Sequence, residues 1–245
     1  MLNVEEELSK AVQHFWKTRE SQHNKQGTEK GKKDAGSRGA VTGGKHADGF
    51  VNLIASIVSS AGLSEFNIHF TKKRPRTLPG YFRPCKEWDV LVVVGTDLVA
   101  AVEVKSQVGS FGNNFNNRVE EALGNAMDFW EAYKHGRFEG SGQPWLGYLF
   151  MLEENEDSTT PTRRVDLQPF KVDELFQERS YAQRYEEVCK RLIRERAYNA
   201  ACFFSSNRVD GAMGRYHEAS DPELSIKNFA ISLYARAAAF QAVKE

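Results

Sequence analysis

The stretch RPCKEWDVLVVVGTDLVAAVEVKS, residues 83–106, decides the fold of this chain. Two runs rich in Val and Leu, residues 88–94 and 98–105, flank a break that holds a glycine and an aspartate. Apolar, β-branched runs separated by such a break are typical of a β-hairpin. We therefore predict two antiparallel strands joined by a three-residue loop, Gly95–Asp97.

Three polar residues interrupt these apolar runs and are the first candidates for function. In the predicted register Asp89 lies opposite Glu103, and Lys105 shares their face because side chains alternate along a strand. Opposed residues have Cβ atoms ~5 Å apart, so two carboxylates there repel each other unless a cation lies between them. A hard divalent cation such as Mg²⁺ accepts oxygen ligands and would remove that cost. A register shifted by one residue would send Asp89 to the opposite face.

An Asp at the start of one strand and Glu-x-Lys on its neighbour resemble the PD-(D/E)xK nuclease motif, although Trp88 stands in place of the proline. The alternative is a solvated strand face with a cross-strand salt bridge. The many valines of both runs indicate buried strands, and buried acids and lysines need a partner or a function. The resemblance implies the catalytic residues Asp89, Glu103 and Lys105. It also implies Mg²⁺ as the cofactor, bound by Asp89, Glu103 and the carbonyl of Val104.

Composition excludes several classes of protein. The chain has 245 residues with 40% hydrophobic and 27% charged content, which suits one globular domain over residues 1–245. Basic and acidic residues both number 33, so a nucleic-acid partner is indicated only by local charge segregation. Three scattered cysteines favour a reducing, cytoplasmic compartment over a disulfide framework. Without a signal peptide or an apolar run of ~20 residues, we expect no membrane partner.

Two segments are locally basic. Residues 21–45 are rich in Gly and Lys, and they are either a flexible linker or a basic arm that orders on DNA phosphates. Residues 72–86 carry six positive charges without an acid and lead directly to Asp89. Charge runs are usually solvated faces, but this position favours phosphate contact.

The remaining pattern predicts the layers of the fold. Helical periodicity predicts helices at about residues 3–20, 50–61, 119–133, 181–196 and 226–243, and apolar runs predict strands at 65–71, 145–152 and 200–204. We place residues 106–117 and 205–225 in loops. The strands after the hairpin are separated by helices, which predicts parallel pairing with right-handed crossovers. The fold class is therefore α/β, a mixed β-sheet of about five strands flanked by helices, as in restriction-endonuclease-like PD-(D/E)xK proteins.

Four segments are similar to the XhoI family of type II restriction endonucleases: residues 42–50, 83–93, 102–118 and 206–218. The similarity extends over nearly the full chain. It implies a homodimer that cuts double-stranded DNA at CTCGAG after the first C, leaving 5′ overhangs and 5′-phosphates. It also implies a cognate DNA methyltransferase of the same system, without direct contact. Two alternatives remain: another PD-(D/E)xK nuclease of DNA repair or phage processing, and a DNA-binding module of this fold without catalysis.

The candidate DNA-binding residues are basic or amide side chains near these segments: Lys45, Lys72, Arg74, Arg83, Asn207, Arg208 and Arg215. Arginine pairs with guanine and asparagine with adenine in the major groove, which makes Arg208, Arg215 and Asn207 candidates for reading bases. Lys45, on a Gly-rich turn, is a further guanine candidate. The alternative assigns the arginines to phosphates or to acids such as Asp210 and Glu218. Asp48 is either an additional metal ligand or an acid favoured by the helix dipole.

Overall fold

A computed structural model describes residues 2–27, 45–70 and 75–244, and within these ranges the side chains of residues 23–27 and 45 lie outside the description. The predicted α/β class is confirmed, because a six-stranded mixed sheet is flanked by helices on both faces. This is the restriction-endonuclease-like arrangement that the resemblance implies. Among the described residues, no helix is long and apolar enough to cross a membrane.

The described chain begins with a helix and contains eight strands and seven α-helices. The strands are β1 (Ile68–His69), β2 (Thr77–Pro79), β3 (Cys85–Glu87), β4 (Val90–Val94), β5 (Asp97–Gln107), β6 (Trp145–Glu153), β7 (Ala200–Ser206) and β8 (His217–Glu218). The α-helices are α1 (Val4–Gly27), α2 (Asp48–Ser60), α3 (Phe111–Lys134), α4 (Glu156–Thr159), α5 (Tyr181–Arg194), α6 (Arg208–Gly211) and α7 (Ile226–Lys244). Short 3₁₀ turns cover Lys45–Ala47, Glu65–Asn67, Glu174–Phe176 and Pro222–Leu224.

The main sheet has the strand order β1-β4-β5-β6-β7-β8, and β2 and β3 form a separate hairpin. β5, β6 and β7 pair in parallel, as predicted, and α3 and α5 lie in the connections between them. Helices α1, α2 and α7 contribute to the core on one face of the sheet, and α3 and α5 to the core on the other. Because helices cover both faces, the central strands are apolar on both sides.

The β4–β5 hairpin has a shorter loop than predicted. Only Gly95–Thr96 form the turn, with Gly95 at a φ of +63°, a conformation that favours glycine. One extra residue on β5, Val99, then forms a β-bulge. Beyond the bulge Val90 pairs with Val102, so the predicted register of the functional end is confirmed. The prediction of a three-residue loop was wrong, and the bulge compensates for the missing residue.

Helix α3 begins at Phe111, inside the stretch predicted as a loop. Its Gly- and Asn-rich first turns have low helix propensity. Two aromatic contacts explain why they are helical: Phe111 stacks on Tyr181 at a ring distance of 6.2 Å, and Phe115 meets Tyr185 at 5.0 Å. Tertiary packing of this apolar face therefore outweighs local propensity.

Three further boundaries differ from the sequence prediction. The predicted strand at residues 65–71 is a 3₁₀ turn followed by the two-residue β1. The predicted loop at residues 205–225 contains α6 and β8. Helix α1 extends to Gly27, so the first part of the proposed basic segment is helical, while its residues 28–44 lie outside the described ranges.

Candidate active site

Asp89, Glu103 and Lys105 lie together on the face of the sheet that α3 covers, as the register predicts. Asp89 directly precedes β4, and its Oδ2 accepts a 2.8 Å hydrogen bond from the backbone N–H of Val104. Glu103 is only 2% exposed, and its Oε1 lies 2.6 Å from the Nζ of Lys105. The three side chains therefore share one face, as predicted, and act on one another electrostatically, while their catalytic role stays a prediction.

Burial shifts the pKa values of the ionisable groups in this cluster. Burial and the nearby Glu103 charge raise the pKa of Asp89 to about 6. Burial alone would lower the pKa of Lys105, but the Glu103 carboxylate outweighs it and the pKa lies above its usual range. Lys105 is therefore an ammonium at neutral pH, and Asp89 is an acid whose ionised form needs a nearby cation.

The oxygen atoms of this site suit a hard divalent cation. The N–H and C=O of one strand residue point to the same side, so the carbonyl of Val104 faces the side of Asp89. There β4 has no residue paired with Val104, since the last pair is Val90 with Val102. Two carboxylates and one carbonyl are the ligand types that Mg²⁺ takes.

A second lysine reaches the same glutamate and was missed as a site residue in the sequence. Lys86 of β3 places its Nζ 2.9 Å from Oε2 of Glu103, with a side chain that is 12% exposed. The same Nζ lies 4.5 Å from the ring centre of Trp88 and donates to the carbonyl of Glu87 at 3.1 Å. The sequence marked Lys86 only as one of six charges in a basic run. Its neighbours Cys85 and Glu87 on β3 are exposed, so the side chain of Lys86 faces inward in the structure.

The ion pairs around Glu103 and Lys105 extend to helix α3. Glu121 lies 3.9 Å from the Nζ of Lys105 and is itself paired with Arg118 at 2.6 Å. The long helix that follows β5 therefore supplies an acid beside Lys105, and the side chain of this acid, Glu121, is 46% exposed.

The loop between β2 and β3 is anchored by one buried carboxylate. Asp128 of α3 accepts backbone N–H bonds from Tyr81 at 2.9 Å and Phe82 at 2.8 Å, and a side-chain bond from Arg83 Nε at 2.8 Å. Arg83 also donates to Asn125 at 3.0 Å. This candidate DNA-binding arginine therefore has a structural partner, and its contact with DNA stays a prediction.

The other described candidates follow the end of β7. Because β5 and β7 run in the same direction, these candidates lie at the edge of the sheet where β5 ends, just beyond Lys105. Asn207 caps α6, and its side chain both accepts from and donates to Asp210 at 2.8 Å. Arg215 pairs with Asp210 at 3.0 Å, which is the alternative that the sequence left open. Arg208 is exposed and forms no ion pair within the described residues. Burial lowers the pKa of Arg19, a residue of α1, and the positive charge of Arg208 lowers it further. The side chains of Arg19 and Arg208 therefore lie near each other.

Three candidates cannot be placed. Lys72 and Arg74 lie outside the described residues, as does the side chain of Lys45. Asp48 is exposed in the first turn of α2, the position that the helix dipole favours for an acid. The charges that act on the pKa of Asp89 come from Glu103, Lys105 and Lys86.

Comparison with known proteins gives this site its context. The chain matches the family described as restriction endonuclease XhoI over residues 25–218. It is 47% identical over 207 residues to the type II restriction enzyme BstVI of Geobacillus stearothermophilus, covering 82% of this chain and 91% of that enzyme. It is 46% identical to AbrI of Azospirillum brasilense, over 69% of this chain and 74% of that enzyme. It is 43% identical to XhoI of Xanthomonas vasicola, over 74% and 72%.

No solved structure matches the chain. The family match covers most of the sequence and includes the whole Asp89–Lys105 hairpin. This chain belongs to the XhoI family of restriction endonucleases.

Proposed function

We propose that this protein is a type II restriction endonuclease that uses Mg²⁺ to hydrolyse double-stranded DNA at CTCGAG. Cleavage after the first C would leave 5′ overhangs and 5′-phosphates. The observation that carries the proposal is the buried cluster of Asp89, Glu103 and Lys105 in a member of this family. The identity of 43% to an enzyme named XhoI supports the choice of site.

The metal would be held by Asp89, Glu103 and the carbonyl of Val104. When bound there, Mg²⁺ would polarise the scissile phosphate and lower the pKa of a coordinated water. Asp89 is already fixed by its bond to the N–H of Val104, so one ligand is oriented before any metal binds.

Lys105 has the role of orienting the attacking water and stabilising charge on the phosphorane. Its ammonium is held 2.6 Å from Glu103, which keeps it charged and aimed at the site. A cation with a raised pKa is a poor general base at neutral pH, so electrostatic stabilisation accounts for its role better than proton abstraction.

A palindromic site is read most simply by a two-fold homodimer, in which each subunit cuts one strand. In this proposal residues 1–245 form one domain of each subunit. The basic candidates contact phosphates around the cluster, and double-stranded DNA is the partner. A cognate DNA methyltransferase would protect the host site without touching this protein. The three cysteines are free thiols, which supports a cytoplasmic location.

Digestion of a plasmid that carries a single CTCGAG tests this function. Mg²⁺ should give one linear product whose mapped ends are 5′ overhangs, and EDTA or a plasmid with one altered base should give none. Cleavage without a defined site would favour a repair or phage nuclease instead. Binding without cleavage would favour a DNA-binding module that does no chemistry.

A further inference from the structure

Glu103, a proposed metal ligand, is paired with two lysines. Each of its two carboxylate oxygens already accepts from a lysine: Oε1 from Lys105 at 2.6 Å and Oε2 from Lys86 at 2.9 Å. Both contacts are largely buried, with side-chain exposures of 23% for Lys105 and 12% for Lys86. A divalent cation bound by Glu103 and Asp89 would lie close to both ammonium groups, and because like charges repel each other it would compete with the lysines for Glu103.

The two lysines differ in how firmly the fold holds them. Lys105 lies on β5, a central strand paired on both sides. Lys86 lies on β3, which pairs only with the three-residue β2 outside the main sheet. A two-stranded hairpin is only marginally stable by itself. The Lys86 side chain is therefore attached to the element that can move at lower energetic cost.

Lys86 also has contacts that it can keep when it leaves Glu103. Its Nζ donates to the carbonyl of Glu87 at 3.1 Å and lies 4.5 Å from the ring centre of Trp88. The lysine stem is flexible and the ammonium can turn its three donors towards these groups or towards water. Movement of this side chain therefore does not leave its charge buried without a partner.

We propose that Lys86 is a built-in counter-ion, which holds Glu103 in the metal-free protein and is displaced when a divalent metal binds. This inference rests on the proposed function, because it concerns the same metal site. It accounts for the second ammonium group on a buried carboxylate that is also a proposed metal ligand. It also couples metal loading to the β2–β3 hairpin, whose adjoining loop is anchored on Asp128.

Lysine-selective acetylation read by mass spectrometry tests the displacement in the intact, DNA-free protein. Mn²⁺ and Ca²⁺ are each titrated while calorimetry follows metal binding under the same conditions. The acetylation rate of Lys86 should rise several-fold, with the same midpoint as metal binding. Lys134, which is exposed and pairs with Glu131 on the helix surface, is the control and should not change. The Asp89→Asn variant should show neither metal binding nor a change at Lys86.

Substitution gives a second, independent measurement. Lys86→Met should bind Mn²⁺ several-fold more tightly than the wild type without DNA, because the metal no longer competes with an ammonium. Lys134→Met removes the same charge from the surface and should leave the affinity unchanged. Thermal unfolding of both variants establishes that they are folded. The acetylation experiment uses the wild type, so its result does not depend on the folding of either variant.

The outcomes separate this inference from the proposed function. If metal binds and the Lys86 acetylation rate stays constant at saturation, Lys86 is a fixed structural partner and the inference is wrong. If Lys86→Met binds metal no more tightly than the wild type, there is no competition and the inference is equally wrong. If neither protein binds a divalent metal without DNA, the inference is wrong, whereas the plasmid digestion with Mg²⁺ still decides the proposed function.

Discussion

The backbone N–H of Val104 donates a 2.8 Å hydrogen bond to Oδ2 of Asp89. It forms just beyond the last β4–β5 pair, and it fixes the start of one strand to the strand that carries Glu103 and Lys105. A hydrogen bond to a charged acceptor contributes about 1.5–3 kcal/mol. It favours the ionised form of Asp89, but burial and the Glu103 charge act against it and raise the pKa to about 6. The Asp89 and Glu103 carboxylates therefore repel each other in this arrangement.

Neutralising the proposed catalytic residues should abolish cleavage without abolishing DNA binding. The informative variants are Asp89→Asn, Glu103→Gln and Lys105→Met. These near-isosteric changes are preferable to alanine, because removing the Glu103 side chain would leave two buried ammonium groups without their carboxylate. Loss of the Lys105 charge should lower the single-turnover rate by about 10²–10³-fold, as expected for one group that stabilises transition-state charge.

Single-turnover cleavage with Mg²⁺ and DNA affinity with Ca²⁺ measure the two properties separately. Glu121→Gln is the control, because Glu121 lies 3.9 Å from Lys105 but is half-exposed and paired with Arg118. Its effect on rate should be no more than a few-fold. Wild-type activity in any one of the three cluster variants would remove that residue from the mechanism.

The raised pKa of Asp89 predicts how stability depends on pH in the metal-free protein. The folded pKa of about 6 lies above the ordinary value of 3.8, so the native state binds this proton more tightly than the unfolded state. The stabilisation is complete below the unfolded pKa and is lost as pH rises through the folded pKa. Asp89→Asn removes the buried charge, so it should be more stable than the wild type at pH 8 by up to about 3 kcal/mol.

Urea unfolding in EDTA at about pH 5 and about pH 8 measures this difference. The gap between Asp89→Asn and the wild type should be smaller at the lower pH. Glu120→Gln, an exposed acid on α3, is the control and should show no such pH-dependent gap. A gap that is equal at both pH values would mean that the ionised Asp89 carboxylate causes no destabilisation.

Asp128 should stabilise the loop that precedes Lys86. Its carboxylate accepts from two backbone N–H groups and from Arg83, although burial by itself opposes the ionised form. Asp128→Ala leaves these donors unpaired, and such losses cost about 1–3 kcal/mol each when the donor is buried. We expect a lower free energy of unfolding and faster amide hydrogen exchange in residues 80–87. Exchange that is unchanged in this segment would show that the loop does not depend on Asp128.

The sequence was sufficient for the functional end of the hairpin but not for its turn. Side chains alternate between the two faces of any β-strand with a period of two residues. This rule was enough to place Asp89, Glu103 and Lys105 on one face of the predicted hairpin. The bulge at Val99 was not predicted. It compensates for a loop that is one residue shorter than the predicted one and so restores the register. Lys86 was missed because its role depends on how a separate hairpin packs over β5, which no local pattern encodes.

Helix α3 illustrates the same limit at the level of secondary structure. Its first turns read as a loop by composition, and only the aromatic contacts of Phe111 and Phe115 with α5 make them helical. Residues distant in sequence decide this boundary, so propensity alone cannot find it. The partners of Arg83 and Arg215 were uncertain for a similar reason, because their acids lie on other elements or across a turn.

Arg208 and Arg215 should differ in what they contribute to DNA recognition. Arg215 is held by Asp210 at 3.0 Å, whereas Arg208 is exposed and forms no ion pair among the described residues. An arginine that reads guanine through its two major-groove acceptors provides about 1–3 kcal/mol of discrimination at one base pair. We expect Arg208→Ala to lose this discrimination at one G·C pair of the proposed CTCGAG site.

Affinity for the cognate duplex and for each single-base variant, measured with Ca²⁺ at several salt concentrations, decides between base and phosphate contact. Loss confined to one position identifies a base contact. An equal loss for every duplex, with the slope of log K against log salt reduced by about one counterion, identifies a phosphate contact and excludes base reading by Arg208. Arg215→Ala serves as the comparison, because its pair with Asp210 must break before it can reach DNA. If it loses more discrimination than Arg208→Ala, the ion pair opens on binding and Arg215 is the reader.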